Sequence, residues 1–182
     1  MSRDMRGYFG IGVESISKEQ NVGTIARSAH AFGANFFFTI APDVDVEKMR
    51  KSDTSDAFDH VPYYEYKNVQ EMELPDKCAL VGVELIDVAI ELPSFRHPVR
   101  AAYVLGPEMG DLSPEMVERC NHIIKIPMKF CVNVGVAGAL VMYDRLLSMG
   151  KFADRPVGAG GPTQSLPEKA PTIRRKIRTK KS

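Results

Sequence analysis

Residues 8–40, YFGIGVESISKEQNVGTIARSAHAFGANFFFTI, are the stretch that decides the fold. The apolar run at residues 8–13 predicts a buried strand, and the spacing of apolar side chains over residues 22–32 predicts a helix with Asn21 as its N-cap. Residues 35–40 form a second apolar run and predict a second buried strand. Continuously apolar strands that alternate with a helix are typical of a parallel α/β sheet.

The same alternation continues to about residue 150. Further strands are predicted at residues 61–66, 79–84, 100–105 and 122–126, and further helices at about residues 44–50, 69–74, 114–120 and 134–148. We therefore expect an α/β fold with a mostly parallel sheet and helices on both faces. The last helix is apolar around nearly its whole circumference, which predicts that a second subunit covers the side facing away from the sheet.

The charge of the chain is unevenly distributed. Its 182 residues have a net charge of +1, yet residues 168–182 carry seven basic side chains and one acidic side chain. Residues 153–167 are rich in Gly, Pro and Ala and predict a flexible linker between a domain at residues 1–152 and this basic tail. An acidic body with a basic tail indicates an acidic partner.

The composition also disfavours several classes of protein. The three cysteines are far apart and form no Cys-x-x-Cys pair, which favours a reducing, cytoplasmic location and predicts neither a metal site nor disulfides. The longest apolar run, residues 134–143, is about half as long as a membrane span, and we expect neither a signal peptide nor a membrane partner. The Gly-x-Gly-x-x-Gly and Walker patterns are absent, which disfavours the standard nucleotide-binding folds.

The predicted helix after the first strand has an unusual polar face. Gly23, Arg27 and His30 share the side opposite the apolar stripe, and Phe-Gly-Ala follows at residues 32–34. A glycine there admits a ligand close to the backbone, and an arginine one turn further on is suited to a phosphate. An ordinary amphipathic helix with one solvated arginine explains the same spacing, and His30 also fits an ordinary helix histidine.

Two later segments place polar and glycine residues just after a strand, where ligands bind in open α/β sheets. In residues 105–112, LGPEMGDL, the strand ends in a glycine-bounded turn that carries Glu108. In residues 126–137, IPMKFCVNVGVA, Asn133 stands where the last helix begins. A turn with a solvated glutamate and a plain N-cap are the respective alternatives.

Together, the three segments resemble the signature motifs of the SpoU/TrmH family of RNA ribose 2'-O-methyltransferases, within the SPOUT superfamily. The resemblance covers about residues 7–150, and one position departs from it, because Cys131 stands where the family has serine. The matching residues, in motif order, are Asn21, Gly23, Arg27 and Phe32-Gly33-Ala34; Gly106, Glu108 and Gly110 to Leu112; and Ile126-Pro127-Met128, Asn133 and Val136-Ala137.

The resemblance implies a deep trefoil knot in the C-terminal part of the domain. It also implies a homodimer whose contacts we expect at helices 134–148 and 22–33, with the site near the subunit interface. S-adenosylmethionine is the implied cofactor, bound in a bent form mostly through backbone groups. The residues implied to hold it are Val83, Glu84, Leu85, Gly106, Ile126, Pro127, Met128, Cys131, Val132 and Asn133.

The implied reaction is methyl transfer to a ribose 2'-OH of RNA, with Arg27, Asn21 and Glu108 as the catalytic residues. Because a guanidinium stays charged, we expect Arg27 to hold a phosphate and to stabilise the developing alkoxide rather than to take the proton. Asn21 is expected to orient Arg27 or to contact the ribose. Glu108 is expected to anchor Arg27 or the first-motif loop, or to assist proton removal.

RNA is the expected partner, and DNA is not, because the 2'-OH distinguishes the two. We favour tRNA over rRNA because the chain is short, like the short tRNA-acting members of the family. An rRNA 2'-O-methyltransferase is one alternative, and a non-catalytic RNA-binding relative is the other, for which Cys131 is the one indication. The residues expected to contact RNA are Arg27 and His30 in the domain and Arg174, Arg175, Lys176 and Arg178 in the tail.

Overall fold

The computed structural model describes residues 7–46, 57–150, 152, 155 and 158–160, and the statements below concern these residues. The chain divides into two units, Met1–Gly150 and Lys151–Ser182. In the second unit the described residues include a turn at residues 158–160. The helix expected near residues 44–50 falls mostly outside the described residues, and the basic tail falls entirely outside them.

A seven-stranded sheet lies at the centre of the first unit, and its strand pairs within the described residues are all parallel. The order across the sheet is β3-β2-β1-β6-β4-β7-β5. The expected parallel sheet is confirmed, and the two-residue edge strand β5 is an addition to it. In chain order the strands are β1 (Tyr8–Glu14), β2 (Phe36–Ile40), β3 (Tyr63–Tyr66), β4 (Ala79–Val83), β5 (Ile90–Glu91), β6 (Arg100–Leu105) and β7 (His122–Lys125).

Helices cover both faces of the sheet, as the alternation of strands and helices predicts. The α-helices are α1 (Glu19–Phe32), α2 (Ala57–His60), α3 (Pro114–Arg119) and α4 (Val134–Met149), and a short 3-10 helix spans Leu92–Ser94. One hydrophobic core lies between the sheet and α1, α2 and α4, and the other lies between the sheet and α3. The two long helices α1 and α4 pack against each other on the first face.

Alternating side chains of the strands supply these two cores. In β2, Phe37 belongs to the first core, whereas Phe36 and Phe38 belong to the second. The rings of Phe36 and Phe38 lie over two glycines of β1, where a Cβ would come within 2.2 Å of the ring at Gly10 and 2.4 Å at Gly12. These glycines therefore serve the packing of the second core.

Helix α1 begins earlier than the spacing predicts. Its N-cap is Lys18, whose side chain makes no capping hydrogen bond, so the assignment of Asn21 as N-cap is wrong. Asn21 lies in the first helical turn with its side chain buried, where it bonds to more distant segments. The helix ends at Gly33, which adopts the left-handed conformation with φ 75°, a common helix stop.

The helix predicted near residues 69–74 is also wrong, because the chain forms a turn there. The Asn68 side-chain oxygen accepts the backbone N–H of Glu71 at 2.8 Å, which closes the turn locally. Val69 and Met72 from this turn are buried in the second core. The apolar spacing of Val69 and Met72 therefore comes from two core contacts made by one turn rather than from a helix.

Three global features of the described residues bear on function. None of their helices is long and apolar enough to cross a membrane. They contain no group of three or more His, Cys, Asp or Glu side chains that could hold a metal ion. Cys78, Cys120 and Cys131 are all free thiols.

Candidate functional site

A cavity of about 500 Å³ lies at the carboxyl ends of the central strands. Because the strands are parallel, the segments that follow β1, β4, β6 and β7 meet at this edge of the sheet. From β1 the chain continues to β2 on one side of the sheet centre, whereas from β6 it continues to β7 on the other side. Ligands of open α/β sheets usually bind at the carboxyl ends of the strands where connections diverge in this way. The volume is within the range of small-molecule sites.

Most of the residues implied to hold a cofactor line this cavity. The exception is Pro127, which is exposed between two lining residues. The lining residues from the implied set are Val83, Glu84, Leu85, Gly106, Ile126, Met128, Cys131, Val132 and Asn133. Asn21 and Glu108 line the cavity as well.

The cavity also has lining residues outside the set implied to hold the cofactor, although Gly110, Asp111 and Ala137 among them match the motifs. Pro107, Gly110 and Asp111 belong to the turn after β6, and their position at a strand end was the available signal. Lys125 ends β7, and its Nζ lies 3.5 Å from the carbonyl oxygen of Ile86. The others are Lys18, Leu105, Val134 and Ala137.

One side chain from each of the three motifs joins a continuous hydrogen-bond chain. Asn21 Nδ2 donates to Glu108 Oε1 at 2.8 Å, and Asn133 Nδ2 donates to Asn21 Oδ1 at 2.8 Å. Asn133 Oδ1 accepts the backbone N–H of Gly135 at 2.8 Å and thereby caps α4. The chain of bonds fixes the starts of α1 and α4 to the loop after β6 and forms one wall of the cavity.

The Glu108 carboxylate accepts further hydrogen bonds from the segment that precedes α1. Glu108 Oε2 accepts the backbone N–H and the hydroxyl of Ser17, each at 3.0 Å, and Oε1 accepts the backbone N–H of Lys18 at 3.1 Å. Burial alone would raise the pKa of Glu108, but the hydrogen bonds from Asn21 and Ser17 outweigh it and hold the pKa below its ordinary value. Glu108 is therefore suited to anchor the first-motif loop and is a poor proton acceptor.

A second carboxylate shapes the loop that follows β6. Glu84 Oε2 accepts the backbone N–H of Leu112 at 2.7 Å, and Glu84 Oε1 accepts that of Leu85 at 2.8 Å. The loop folds back so closely that a Cβ on Gly106 would lie 3.1 Å from the Leu112 nitrogen. A glycine at position 106 thus leaves room for both the turn and a ligand at the cavity wall.

Arg27 lies apart from this cluster. It is exposed on α1 and does not line the cavity. Of the roles expected for Asn21 and Glu108, the structure shows Glu108 holding the first-motif loop, and the two side chains bond to each other rather than to Arg27. Within one protein molecule, Asn21 and Glu108 therefore contact each other, and Arg27 is not among their hydrogen-bond partners.

Two histidines have ring partners that the sequence did not indicate. His30 is exposed on α1, and its ring stacks on that of His60 with 4.5 Å between the centroids. No sequence motif includes His97, yet its ring is buried between the Tyr103 hydroxyl and the Asp144 carboxylate. Its partners are far along the chain, so local spacing gave no sign of them.

The three motifs and the sheet match a known family. The family model described as SpoU rRNA Methylase family matches residues 9–143. The chain belongs to this family. Among curated protein sequences, none matches it significantly.

Solved structures of SpoU proteins share the fold. The chain is similar to AviRb of Streptomyces viridochromogenes in complex with AdoMet, with 21% identity, a TM-score of 0.68 and coverage of 81% of this chain and 61% of AviRb. It is similar to a TrmH/SpoU tRNA modifying enzyme of A. aeolicus, with 18% identity, a TM-score of 0.63 and coverage of 80% and 77%. A third structure, which concerns 2-OH methylation of C/U34 on tRNA, has 20% identity, a TM-score of 0.65 and coverage of 78% and 91%. This chain thus spans less than two thirds of AviRb and most of the third protein.

S-adenosylmethionine is the cofactor of this family, and the cavity fits it. The walls combine apolar side chains, such as Val83 and Ile126, with backbone groups of the turns after β6 and β7. The carboxylates of Glu84 and Asp111 stand at the same cavity and suit a ligand that carries positive charge. Cys131 lines the cavity in an exposed loop, where its backbone remains able to bind although the thiol replaces a hydroxyl.

Proposed function

We propose that this protein transfers the methyl group of S-adenosylmethionine to a ribose 2'-OH of RNA, with tRNA as the favoured substrate. The observation that carries the proposal is the hydrogen-bond chain from Glu108 through Asn21 to Asn133, because it joins all three motifs at one cavity. Family membership supports a methyltransferase that acts on RNA. Likeness to two proteins that act on tRNA supports the choice of substrate.

The bound cofactor supplies an electrophilic methyl group on its sulfonium. The turn after β6 and residues 126–128 and 131–133 would hold the cofactor, and the Glu108–Asn21–Asn133 hydrogen bonds fix these segments relative to one another. Arg27 binds a phosphate of the RNA and stabilises the negative charge that develops at the 2'-oxygen as the 2'-OH proton passes to solvent water. Holding both reactants in line supplies much of the rate enhancement for such a displacement.

A homodimer through α1 and α4 is part of the proposal. Val136, Leu140 and Tyr143 are exposed on α4 at spacings that place them on one side of the helix. The ring of Phe32 on α1 packs against Tyr143, with 6.3 Å between the centroids. A second copy that covers this apolar surface would also lie over the exposed face of α1, where Arg27 stands.

The rest of the proposal concerns chain organisation. Family membership supports a C-terminal trefoil knot within a domain at residues 1–152. Residues 153–167 then serve as a linker, and the basic tail at residues 168–182 adds salt-dependent affinity for the RNA backbone.

Methyl incorporation tests the proposed function. Purified protein is incubated with labelled S-adenosylmethionine and with separate tRNA and rRNA fractions from a strain that lacks the gene. The expected result is labelled tRNA, with a 2'-O-methylated nucleoside in its digest by mass spectrometry. Label in rRNA alone favours the rRNA alternative, a methyl group on a base contradicts ribose chemistry, and RNA binding without any label favours the non-catalytic relative.

A further inference from the structure

Two large hydrophobic side chains stand exposed beside the cavity. Phe130 is 83% exposed and Met109 is 89% exposed. Each sits in a loop whose flanking residues line the cavity: Met128 and Cys131 around Phe130, and Glu108 and Gly110 around Met109. Single exposed apolar residues are common, but two that flank one ligand cavity mark a contact surface.

Both loops are anchored close to these side chains. Met109 directly follows Glu108, whose carboxylate is held by Ser17, Lys18 and Asn21. Phe130 lies three residues before Asn133, which is bonded to Asn21 and caps α4. The ends of both loops are therefore held in place by hydrogen bonds. A partner that binds the loop tips loses less conformational entropy, because only a short stretch of chain has to become ordered.

Lys129, next to Phe130, is exposed too. An aromatic ring beside a cation is the arrangement by which proteins bind single-stranded nucleic acid, since the ring stacks on a base and the cation pairs with a phosphate. A second protein surface is a poorer match, because lysine is depleted where protein interfaces are buried. Helix α4, in contrast, contains no lysine at residues 134–149.

We propose that Phe130 stacks on an RNA base next to the methylated ribose, with Lys129 on a phosphate of the same strand. Met109 provides an apolar contact from the other side of the cavity. The proposal rests on the proposed function and extends it, because it assigns the residue that holds an unstacked nucleotide at the cavity. Stacking is tolerant of sequence, so Phe130 contributes affinity more than base selectivity.

The test compares Phe130→Ala with Phe130→Tyr, using bulk tRNA from a strain that lacks the gene. Phe130→Ala should weaken tRNA binding by about 5- to 150-fold, the range that loss of one stacked base produces, and should raise KM for tRNA in parallel. Phe130→Tyr keeps the ring and should keep wild-type affinity. Lys129→Gln should lower the slope of log affinity against log salt by roughly one.

Two controls make the result specific. Val99→Ala removes a 53% exposed apolar side chain just before β6, at the opposite edge of the sheet, and should leave tRNA binding unchanged. The affinity for S-adenosylmethionine, measured by calorimetry, should be the same in Phe130→Ala and in the wild type.

Three results would overturn the assignment of Phe130. The first is a tRNA affinity of Phe130→Ala equal to that of the wild type, and the second is a loss of cofactor affinity as large as the loss of tRNA affinity. The third is a changed oligomeric state of Phe130→Ala in sedimentation, which would place the ring against a second copy. If the wild type binds tRNA but methylates no ribose, the proposed function fails, and the ratio of tRNA affinities still decides the role of Phe130.

Discussion

Glu108 shows how one ionised side chain organises the site at the scale of single residues. Its carboxylate accepts four hydrogen bonds, and three of them come from the segment of Ser17 and Lys18 that leads into α1. Hydrogen bonds to a charged group contribute about 1.5–3 kcal/mol each. The position of the first-motif loop therefore depends on this carboxylate more than on any capping residue of α1.

The first prediction concerns the loss of this anchor. Glu108→Ala should weaken S-adenosylmethionine binding by about tenfold or more, because the buried Asn21 amide loses its acceptor and the exposed Ser17–Lys18 segment loses its anchor. Glu108→Gln should be intermediate, since its amide keeps one acceptor oxygen. Calorimetric titration with the cofactor measures both. Glu118→Ala, on the exposed side of α3, is the matched control, and cofactor affinity in Glu108→Ala equal to that of Glu118→Ala would refute the anchoring role.

A second residue-scale prediction concerns Cys131. Its thiol is exposed at the cavity, whereas Cys120 is partly buried and burial raises its pKa to about 12. Iodoacetamide reacts with thiolates, so Cys131 should be alkylated much faster than Cys120. Saturating S-adenosylmethionine should slow that reaction strongly, as read by mass spectrometry of peptides. Cys131→Ser should abolish the fast labelling and still bind the cofactor, and labelling at Cys131 that the cofactor leaves unchanged would exclude this loop from its site.

At the scale of elements, α4 is joined to the amino edge of the sheet by a buried polar network. Arg145 is 2% exposed and donates from Nη1 to the carbonyl oxygen of Pro98 at 2.6 Å and from Nη2 to that of Val99 at 3.0 Å. His97 shares a 2.6 Å hydrogen bond with the Tyr103 hydroxyl and a 2.9 Å hydrogen bond with Asp144. The network fixes the C-terminal half of α4, while Asn133 fixes its start.

This network predicts acid sensitivity. Burial lowers the pKa of His97 below the ordinary histidine value of 6.5, and the opposing influence of Asp144 is smaller. The unfolded chain then binds a proton more readily than the folded chain, so stability is complete above the unfolded pKa and declines as pH falls below it. The melting temperature should fall as the pH drops below about 6.5, and the fall should be smaller in His97→Gln. The exposed His122→Gln is the control, and parallel profiles for all three proteins would contradict this origin of the pH dependence.

The elements differ in how far the sequence determines them. The apolar runs of β1, β2 and β6 and the spacing in α1 and α4 are local signals, and the structure confirms each of them. The turn after Asn68 is closed by a local side-chain acceptor that competes with a helix, whereas the buried Arg145 depends on acceptors far along the chain. For Arg145, the Tyr103 hydroxyl lies 42 residues away, so an arginine in an apolar helix carried no indication of where it would bond.

The candidate site shows the same difference between local signals and contacts over long sequence separations. Motif spacing identified the segments that line the cavity, because residues at strand ends of a parallel sheet meet at one edge. It did not identify the bonds between Asn21, Glu108 and Asn133, which span 87 and 112 residues. The resemblance offered Arg27 as one possible partner of Asn21 and Glu108, whereas within one protein chain these two side chains bond to each other.

At the scale of the whole molecule, the position of Arg27 bears on the proposed dimer. Arg27 is exposed on α1 and lies outside the cavity of its own chain. The apolar stripe of α4 meets α1 at Phe32, and we propose that a second copy seated on the stripe extends over the exposed side of α1 that carries Arg27. In an isologous dimer the same patch meets itself, which brings two Arg27 side chains to the interface. We therefore expect Arg27 to serve the cavity of the second copy.

Mixed dimers test this arrangement. Arg27→Ala should lose nearly all methyl transfer to tRNA while keeping cofactor affinity, because its cavity is intact. When the Arg27→Ala and Glu108→Ala chains are co-expressed with different affinity tags, they should form mixed dimers. In each mixed dimer, the intact cavity of the Arg27→Ala chain should meet the intact Arg27 of the Glu108→Ala chain across the interface. Random pairing then restores roughly a quarter of wild-type activity, and tandem purification of the mixed dimer raises this to about half. No activity in the purified mixed dimer would show that Arg27 serves its own chain, and a monomer in sedimentation would remove the dimer itself.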